Sequence, residues 1–323
     1  MDFGIIGLGN HAINRVMPAI VKSGNRITSI FSRNGEKAAR EAGKYGSRPF
    51  TSMEEFLSSG CESVYIASPN FLHYSQASQC LKAGKDVLLE KTMTLSNEDA
   101  KSLVRESEAS GRKLAVGFHM RFHPGILLVR RMILDGEVGN IRRITGTWAG
   151  YSSRSRDSPD NIWWSTPEQA GGGSVMGTGV HVLDTIMHVT GARPKAVFAR
   201  RYPRGEAIDD TEEILLSFEG YSAHVTSSRK IAVPDNSLYI HGDCGTVEAI
   251  SIFGTEITGS VVHDGNTVKS YDGGNLYERE IDSFVDLVRG NESSIALAAD
   301  GEAVVRIVNA AVISDREGRE IRI

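Results

Sequence analysis

The chain has 323 residues, of which 40% are hydrophobic and 24% are charged, and its formal net charge is −4. This length fits two globular domains better than one. The weakly negative charge argues against nucleic acid and membrane surfaces as partners, because both are anionic.

Residues 1–118 alternate short apolar runs with helical patterns. The apolar runs predict five buried strands, at Phe3–Ile6, Ile27–Phe31, Ser63–Ala67, Val87–Leu89 and Leu114–Phe118. His11–Lys22 carries apolar residues at helical spacing, and capping boxes at Ser52 and Ser96 predict two further helix starts. Strands that alternate with helices in this way predict a parallel sheet covered by helices on both faces.

The first predicted strand is followed directly by Gly7-Leu8-Gly9-Asn10-His11-Ala12, which opens the first helix. This is the G-x-G-x-x-A form of the dinucleotide-binding fingerprint, in the strand-to-helix position that the motif requires. Gly7 permits the tight turn, and Gly9 lets the backbone approach a pyrophosphate, whose charge the helix N-terminus favours. The motif therefore predicts an N-terminal Rossmann domain.

The second predicted strand ends at Phe31-Ser32-Arg33, where an NAD site usually has an acidic residue for the ribose 2′-hydroxyl. Ser32 instead offers a hydroxyl, and Arg33 a planar guanidinium that suits a phosphate group. Lys37 follows about one helical turn later and would add positive charge. The missing acid favours NADP(H) over NAD(H), with ordinary surface cations as the alternative interpretation of Arg33 and Lys37.

After about residue 119 the pattern changes to longer strand-like segments with hairpin signals at Glu219-Gly220 and Asp264-Gly265-Asn266. Helical patterns remain at Ile126–Leu134, Tyr277–Val288 and Glu302–Ile313. The sequence thus predicts an α/β protein with a Rossmann domain at residues 1–118. Residues 119–323 are expected to form an α+β domain built on a largely antiparallel open sheet.

Several further segments share a pattern with one family of oxidoreductases. They are Ala67–Asn70 with His73, Ala83–Lys91, Gly117–Pro124, Ala170–Gly173 and Gly179–Asp184. With the opening glycines, these segments resemble the glucose–fructose oxidoreductase/inositol dehydrogenase family, called Gfo/Idh/MocA, over essentially the whole chain. The resemblance implies an active site between the two domains. It also implies oligomers built through the sheet of the second domain, expected here as a homodimer or homotetramer.

The resemblance further implies hydride transfer between a nicotinamide and a hydroxyl- or carbonyl-bearing carbon of a sugar, cyclitol or related compound. Lys91 matches the lysine of the family's Glu-Lys-Pro motif, and His181 matches its active-site histidine. The residues expected to bind the cofactor are Gly7, Gly9, Asn10, His11, Ser32, Arg33, Lys37, Pro69, Asn70, His73, Glu90 and Lys91.

Lys91 and His181 are the expected catalytic residues. Lys91 follows a predicted strand, so it starts at the sheet edge where α/β proteins bind ligands, and it would polarise a substrate oxygen. His181 would move the substrate hydroxyl proton near neutral pH, with Asp184 orienting its ring if the segment is helical. The alternative is that His181 is a buried, hydrogen-bonded core histidine. No metal site is predicted, because spacing indicates no further ligand that converges with His181, Asp184 and His188.

The substrate is expected to meet polar and aromatic groups of the second domain. Aromatic faces and arginines suit sugar rings and acidic groups respectively, although tryptophans also serve as core or interface anchors. The candidates are His119, Arg121, Trp163, Trp164, Thr178 and Asp184, with Arg154–Arg156 in the same polar loop as the tryptophans.

Some positions depart from the family pattern. The smaller departures are Thr92 for the proline after Lys91, His119 for a frequent asparagine, and Trp164 where some members have arginine. Gly177 occupies the position, four before His181, where many members have an aspartate. Because the usual Asp/His pair is incomplete, a second hypothesis stays open: a cofactor-binding regulator or ligand sensor that has lost catalysis.

The three cysteines, Cys61, Cys80 and Cys244, are widely spaced and predict neither a disulfide framework nor a zinc site. The N-terminus lacks the basic and apolar regions of a signal peptide, and no apolar run is as long as a membrane span. The leading hypothesis is therefore a cytoplasmic, NADP(H)-dependent dehydrogenase or reductase that acts on CH–OH groups of a small carbohydrate or polyol.

Overall fold

The computed structural model describes residues 1–151 and 162–323 of the chain. The first 118 residues alternate strands and helices, as their apolar periodicity predicts. The strands are β1 (Asp2–Ile6), β2 (Arg26–Phe31), β3 (Arg48–Phe50), β4 (Ser63–Ile66), β5 (Asp86–Glu90) and β6 (Leu114–Gly117). The helices are α1 (Met17–Lys22), α2 (Gly35–Tyr45), α3 (Met53–Leu57), α4 (His73–Lys82) and α5 (Asn97–Ser110).

Local sequence signals set several helix boundaries in this part. Ser52 and Ser96 cap α3 and α5, since each side chain accepts a hydrogen bond from the backbone amide three residues later, as predicted. The predicted first helix is divided: a π-helical turn at Ala12–Val16 leads into α1. A 3₁₀ turn at Asn70–Leu72 leads in the same way into α4.

The remaining chain is richer in strands. Its helices are α6 (Pro124–Leu134), α7 (Pro167–Ala170), α8 (Val180–Thr190), α9 (Leu276–Arg289) and α10 (Ala298–Glu317). Its strands are β7 (Ile141–Tyr151), β8 (Ala196–Tyr202), β9 (Thr211–Ser217), β10 (Ser222–Ser228), β11 (Lys230–Gly242), β12 (Thr246–Ile250), β13 (Glu256–His263), β14 (Asn266–Asn275), β15 (Ala296–Leu297) and β16 (Ile321–Arg322). Two 3₁₀ turns (His119–Phe122 and Ile162–Ser165) and a π-helical turn (Val175–Gly179) complete it.

Among the described residues, seven strands form the first sheet, in the order β15-β6-β5-β4-β1-β2-β3. Neighbouring strands are parallel except for β15, which runs antiparallel to β6. Strands β4, β5 and β6 are buried at every position, as expected for a parallel sheet covered on both faces. Because these strands run in one direction, the segments that follow β1, β2, β4 and β5 emerge at one edge of the sheet.

A nine-stranded sheet in the described residues has the order β14-β13-β12-β11-β7-β10-β9-β8-β16. Only β7 and β10 pair in parallel, so the sheet is largely antiparallel and open, and the predicted fold class is confirmed. Both predicted hairpins are present, as β9–β10 and β13–β14. Helix α8 packs on β7 at Gly146, where a Cβ would lie 2.5 Å from Val182 Cγ1.

Contacts between residues divide the chain into two compact units. The first consists of Met1–Phe118 and Tyr277–Glu302, and the second of His119–Leu276 and Ala303–Ile323. The sequence predicts that all residues after 118 belong to the second domain. In the structure, however, most of α9 belongs to the first unit. The reason is packing: Phe284 of α9 lies 6.0 Å from Phe3 of β1, ring centroid to centroid, and both are fully buried.

Within residues 1–151 and 162–323, each helix is either too short or too polar to cross a membrane.

Candidate active site

The loop after β1 has the conformation that its glycines predict. Gly7 has φ +92°, and a Cβ there would lie 2.5–2.6 Å from the backbone of Ala67 and Ser68. Only glycine tolerates both the left-handed backbone and this approach. At Gly9 a Cβ would meet none of the described residues within 4 Å. The loop therefore brings its own backbone to the sheet edge with no side chain at Gly7 or Gly9 in the way.

The end of β2 carries the predicted cofactor-discriminating residues. Arg33 is exposed, and the Ser32 hydroxyl accepts a hydrogen bond from the amide of Asn34 at 3.2 Å. Asn34 then caps α2, because its side chain accepts from the Lys37 amide at 2.9 Å. Sequence reasoning missed Asn34, although an Asn directly before a helical pattern is a recognised N-cap signal.

The segment after β4 is anchored by buried side chains. Ser68 donates a hydrogen bond from its hydroxyl to Gln76 Oε1 at 2.6 Å, and Asn70 is buried as the first residue of a 3₁₀ turn that Pro69 precedes. His73 is fully buried at the start of α4. Its Nε2 lies 2.8 Å from the Ser68 carbonyl oxygen and its Nδ1 2.8 Å from that of Thr92.

Glu90 ends β5 and gathers several polar groups around its carboxylate. Tyr65 donates to Glu90 Oε1 at 2.8 Å, and His11 Nε2 lies 3.2 Å from the same oxygen. Burial by itself raises the pKa of Glu90, but His11, Lys91 and the Tyr65 hydrogen bond outweigh it and lower the pKa to about 2. Glu90 is therefore an anion near neutral pH, beside the half-buried Lys91.

Glu280 of α9 is a second buried carboxyl group in the first unit, and sequence reasoning missed it. Its side chain is fully buried, and neither carboxyl oxygen has a hydrogen-bond partner among the described residues. Burial, and then the charge of Glu90, raise the pKa of Glu280 well above its ordinary value. The negative charge of Glu90 and the loss of water around Glu280 both oppose ionisation of Glu280.

In the second unit, His181 lies in a cluster of rings. It is 2% exposed, and its ring centroid is 4.6 Å from that of His119 and 5.3 Å from that of Trp148. Trp148 in turn stacks on Phe253 at 5.6 Å, and His119 Nε2 lies 3.1 Å from the Gly254 carbonyl oxygen. Sequence reasoning missed Trp148 and Phe253. They are distant from His181 in sequence, and only the fold places Trp148 against His181 and Phe253 against Trp148.

Arg121 and Asp184 form a buried ion pair. Arg121 donates from Nε to Asp184 Oδ2 at 2.8 Å and from Nη2 to Oδ1 at 2.6 Å, which is a bidentate geometry. The segment around Asp184 is helical as expected, but both of its carboxylate oxygens accept from Arg121. Nearby, burial and then Arg121 and Arg130 lower the pKa of His188 to about 3, so His188 is neutral. The pair joins α8, which carries His181, to the 3₁₀ turn at residues 119–122.

Asp209 holds the glycine-rich loop before the π-helical turn. Its carboxylate accepts from the amides of Gly173 and Ser174 at 2.6 Å each, and from the Ser174 hydroxyl at 2.5 Å. Arg201 Nη2 donates to the same carboxylate at 3.2 Å. Burial raises the pKa of Asp209, but Ser174 and Arg201 outweigh it and lower the pKa below its ordinary value. A Cβ at Gly173 would overlap the Asp209 carbonyl, which explains glycine at this position.

Thr178 and Gly177 lie in the π-helical turn that leads into α8. The Thr178 hydroxyl is 2.9 Å from Ser227 Oγ and donates to the Ser174 carbonyl at 3.2 Å. Thr178 thereby attaches the turn to β10. Outside its own turn, a Cβ at Gly177 would meet none of the described residues within 4 Å, and the φ of Gly177 is not left-handed.

Two of the remaining sequence candidates lie in the 3₁₀ turn at Ile162–Ser165. Trp163 and Trp164 stack on each other at 4.2 Å within their 3₁₀ turn, and both are half-buried. Arg154–Arg156 lies outside the described residues. In the described ranges, no three His, Cys, Asp or Glu side chains are arranged to hold a metal ion.

Comparison with known proteins gives matches over both units. The model of the oxidoreductase family with an NAD-binding Rossmann fold matches residues 1–118, and that of the GFO/IDH/MocA C-terminal domain matches residues 126–248. The scyllo-inositol 2-dehydrogenase (NADP(+)) IolU of Bacillus subtilis is 28% identical over 83% of this chain and 82% of its own length. The D-xylose 1-dehydrogenase (NADP(+)) 2 of Haloferax volcanii is 27% identical over all of both chains.

A solved structure shows the same fold. The aldose-aldose oxidoreductase of Caulobacter crescentus, crystallised with glycerol, superposes with a TM-score of 0.89 at 23% identity, over 100% of this chain and 99% of that one. The sequence matches cover the dinucleotide loop and the glycine-rich loop alike. The chain belongs to the Gfo/Idh/MocA family of NAD(P)-dependent oxidoreductases.

Proposed function

We propose that this protein is an NADP(H)-dependent oxidoreductase that transfers a hydride between nicotinamide and a hydroxyl or carbonyl carbon of a sugar or cyclitol. One observation carries the proposal: the Gly7–Gly9 loop and Lys91 emerge at the same edge of the parallel sheet, where α/β proteins bind their ligands. The names of the relatives support the substrate class, since they act on inositol and xylose.

The residues of the first unit fit a dinucleotide. The left-handed Gly7 and the clear backbone at Gly9 suit a pyrophosphate at the amides before Ala12–Val16, with Asn10 and His11 beside it. Pro69 and Asn70 would line the next segment along the edge. Nicotinamide, when bound, supplies the hydride acceptor or donor, and the protein supplies orientation and proton transfer.

The preference for NADP(H) depends on the end of β2. Arg33 is exposed and directly follows the strand, and Lys37 lies in the first turn of α2. A guanidinium and an ammonium at this place would bind a 2′-phosphate, whereas an acidic residue would repel it. Two of the relatives are named as NADP-dependent, which agrees with this proposal.

Proton transfer is assigned to Lys91 and His181. Lys91 is half-buried beside the anionic Glu90, which stabilises an ammonium that donates a hydrogen bond to the substrate oxygen. His181 would accept the hydroxyl proton during oxidation and return it during reduction. His119 and Trp148, which contact the His181 ring, would define the side on which the sugar lies.

Arg121, Asp184 and Thr178 are better suited to positioning than to substrate contact. The charges of Arg121 and Asp184 satisfy each other in a buried pair, and the Thr178 hydroxyl is engaged by the protein. Trp163 and Trp164, which are half-buried, remain our candidates for contact with the sugar ring.

The test is turnover. Binding of NADPH is first established by fluorescence titration, and a panel of aldoses, ketoses and inositols is then assayed with NADPH and NADP⁺. His181→Ala should lose turnover while it retains NADPH binding. Cofactor binding without turnover on any panel member would favour the regulator hypothesis, which the glycine at position 177 keeps open. Because a Cβ at position 177 would meet no described residue outside its own turn within 4 Å, Gly177→Asp then tests whether the missing carboxylate limits activity.

We also propose a cytoplasmic homodimer or homotetramer. The cysteines Cys61, Cys80 and Cys244 are free thiols, which agrees with a reducing compartment. Sedimentation equilibrium of the purified chain measures the oligomer directly, and a monomer at all concentrations would contradict this part of the proposal.

A further inference from the structure

Arg201 of β8 lies among buried acidic side chains of the second unit, and its own side chain is 8% exposed. Its Nη2 donates to the Ala207 carbonyl oxygen at 2.9 Å and to Asp209 Oδ1 at 3.2 Å. Its Nε lies 3.3 Å from Glu212 Oε2. Because Asp209 and Glu212 are both fully buried, one guanidinium faces two carboxyl groups that are removed from water.

The two acids are not equivalent partners of Arg201. Asp209 accepts a hydrogen bond from it, whereas neither carboxyl oxygen of Glu212 has a hydrogen-bond partner among the described residues. Burial, and then the charge of Asp209, raise the pKa of Glu212 well above its ordinary value. Burial lowers the pKa of Arg201, but Glu212 and Asp209 outweigh it, so the guanidinium stays charged. The hydrogen-bonded ion pair of Arg201 is therefore the pair with Asp209.

The Asp209 carboxylate connects Arg201 to the segment that precedes His181. The same carboxylate accepts from the backbone amides of residues 173–175, at 2.6, 2.6 and 3.3 Å. The π-helical turn Val175–Gly179 begins at the last of these amides, and His181 is the second residue of the helix that follows it. One carboxylate thus fixes three consecutive amides, and Arg201 constrains the orientation of that carboxylate.

Helix α10 fixes the backbone from which Arg201 projects. The Asp315 carboxylate accepts from the Arg201 amide at 3.0 Å and also forms an ion pair with Arg204. The buried Ser314 hydroxyl accepts from the Ala199 amide at 2.9 Å. Two amides of β8 are therefore bound by side chains of α10, so β8 is a fixed support for the Arg201 side chain.

We propose that Arg201 is a positioning residue for His181: by its pair with Asp209 it fixes residues 173–175, and with them the start of α8. The consequence for turnover rests on the proposed function, in which His181 transfers the substrate proton. The consequence for the place of the His181 ring does not rest on it, and can be measured without a substrate.

The first measurement follows the His181 ring in the protein without ligand. The rings of His119 and Trp148 lie 4.6 and 5.3 Å from it, so their ring currents make its NMR shifts sensitive to small displacements. In protein labelled with ¹³C-histidine, His181→Ala identifies its peak among those of the nine histidines. Arg201→Met should move this peak. Arg142→Met, which removes an exposed arginine from an ion pair of β7, is the matched control and should leave it in place.

The second measurement is turnover on a substrate of the wild-type enzyme. Arg201→Met should lower kcat by up to about 100-fold, because a displacement of about 1 Å that originates far from the reacting atoms can have this effect. KM for NADPH should change much less, since the residues proposed to bind it belong to the first unit. Arg201→Lys keeps the positive charge but not the planar fork, so it should recover part of kcat and move the His181 peak less.

The possible failures can be told apart. If Arg201 serves stability alone, Arg201→Met will have a lower unfolding midpoint, but an unchanged kcat per folded molecule and an unchanged His181 peak, and this result would overturn the proposal. If Arg201→Met does not fold, Arg201→Lys decides, and wild-type kcat and peak position in that variant would overturn the proposal as well. Wild-type protein without turnover would refute the proposed function, while the NMR comparison would still decide whether Arg201 positions His181.

Discussion

Two glycine-containing loops, one in each unit, lead into helices, but they differ in the group that meets their amides. In the second unit, Asp209 binds the amides of Gly173 and Ser174, so the protein supplies its own anion. In the described residues, no carboxylate binds the amides of the loop from Gly7 to His11. The same physics of a helix N-terminus thus serves stability in one loop, and we propose that it serves an external pyrophosphate in the other.

The buried charged groups of the two units can be compared as well. In the second unit, two buried aspartates each form an ion pair with an arginine: Asp184 with Arg121, and Asp209 with Arg201. In the first unit, Glu90 and Glu280 are two acids that bear on each other, and the charge of Glu90 adds to burial in raising the pKa of Glu280. Glu212 of the second unit is likewise fully buried, and burial and then the charge of Asp209 raise its pKa well above the ordinary value. Both units therefore hold two acids that bear on each other, and they differ in that arginines pair with the carboxylates of the second unit.

The largest expected effect is a loss of turnover on substitution of Lys91, which follows β5 at the edge of the first sheet. Lys91→Met should lower kcat by about 10²–10⁴, as for other acid–base groups, because it removes the ammonium beside Glu90. NADPH affinity should change much less. Steady-state kinetics on a substrate found by the panel measures this, with Lys101→Met at an exposed position of α5 as the control. Wild-type kcat in Lys91→Met would remove this lysine from the mechanism.

The next largest effect tests whether the second loop is held from within. Gly173→Ala should destabilise the protein by about 3 kcal/mol, the upper end for overpacking, because its Cβ overlaps the Asp209 backbone. Gly177→Ala, four residues later and with open space around its Cβ, is the matched control and should be nearly neutral. Urea unfolding of both variants gives the difference, and equal stabilities would show that the loop is not tightly packed.

The next prediction concerns Arg33 at the end of β2 and tests the proposal that the first unit binds NADPH. Arg33→Ala should weaken NADPH binding by about 1.5–3 kcal/mol, or roughly 10–100-fold, because a charge-assisted phosphate contact is lost. NADH binding should hardly change, and Arg105→Ala on α5 serves as the control. Titration of both cofactors into the three proteins is decisive, and equal NADPH and NADH affinities in the wild type would end the NADP assignment.

The smallest effect, counted per pH unit, concerns the pair of acids. The pKa of Glu280 is raised in the folded protein, so the stability linked to it is complete below the unfolded pKa of about 4.3 and is lost as pH rises through the folded pKa. Glu280→Gln cannot ionise and should escape a loss of up to about 1.4 kcal/mol per pH unit. Chemical unfolding between about pH 4 and pH 7 compares the slopes. Parallel curves for wild type and variant would contradict a protonated Glu280, and Glu292→Gln at an exposed site should match wild type.

The sequence predicted those features that act through nearby residues. The strand-to-helix position of Gly7 and Gly9, the caps at Ser52 and Ser96, and the end of β2 at Phe31 are local, and the structure has each of them. Period and turn signals were also sufficient for the two predicted hairpins of the second sheet, β9–β10 and β13–β14. Local signals are informative because a few neighbouring residues determine the backbone conformation and its hydrogen bonds.

Only the tertiary structure decided which charged side chains and backbone amides pair with each other. Asp209 meets Gly173 from 36 residues away and Arg121 meets Asp184 across 63, and nothing in the spacing of these residues indicates the pairs. Helix α9, which brings Glu280 to bear on Glu90, returns to the first unit after eight of the nine described strands of the second sheet, and no boundary drawn from periodicity anticipated this. The physical reason is that two factors decide which buried groups pair: how side chains pack, and how much an uncompensated buried charge costs. Both are properties of the folded chain and cannot be read from residues adjacent in sequence.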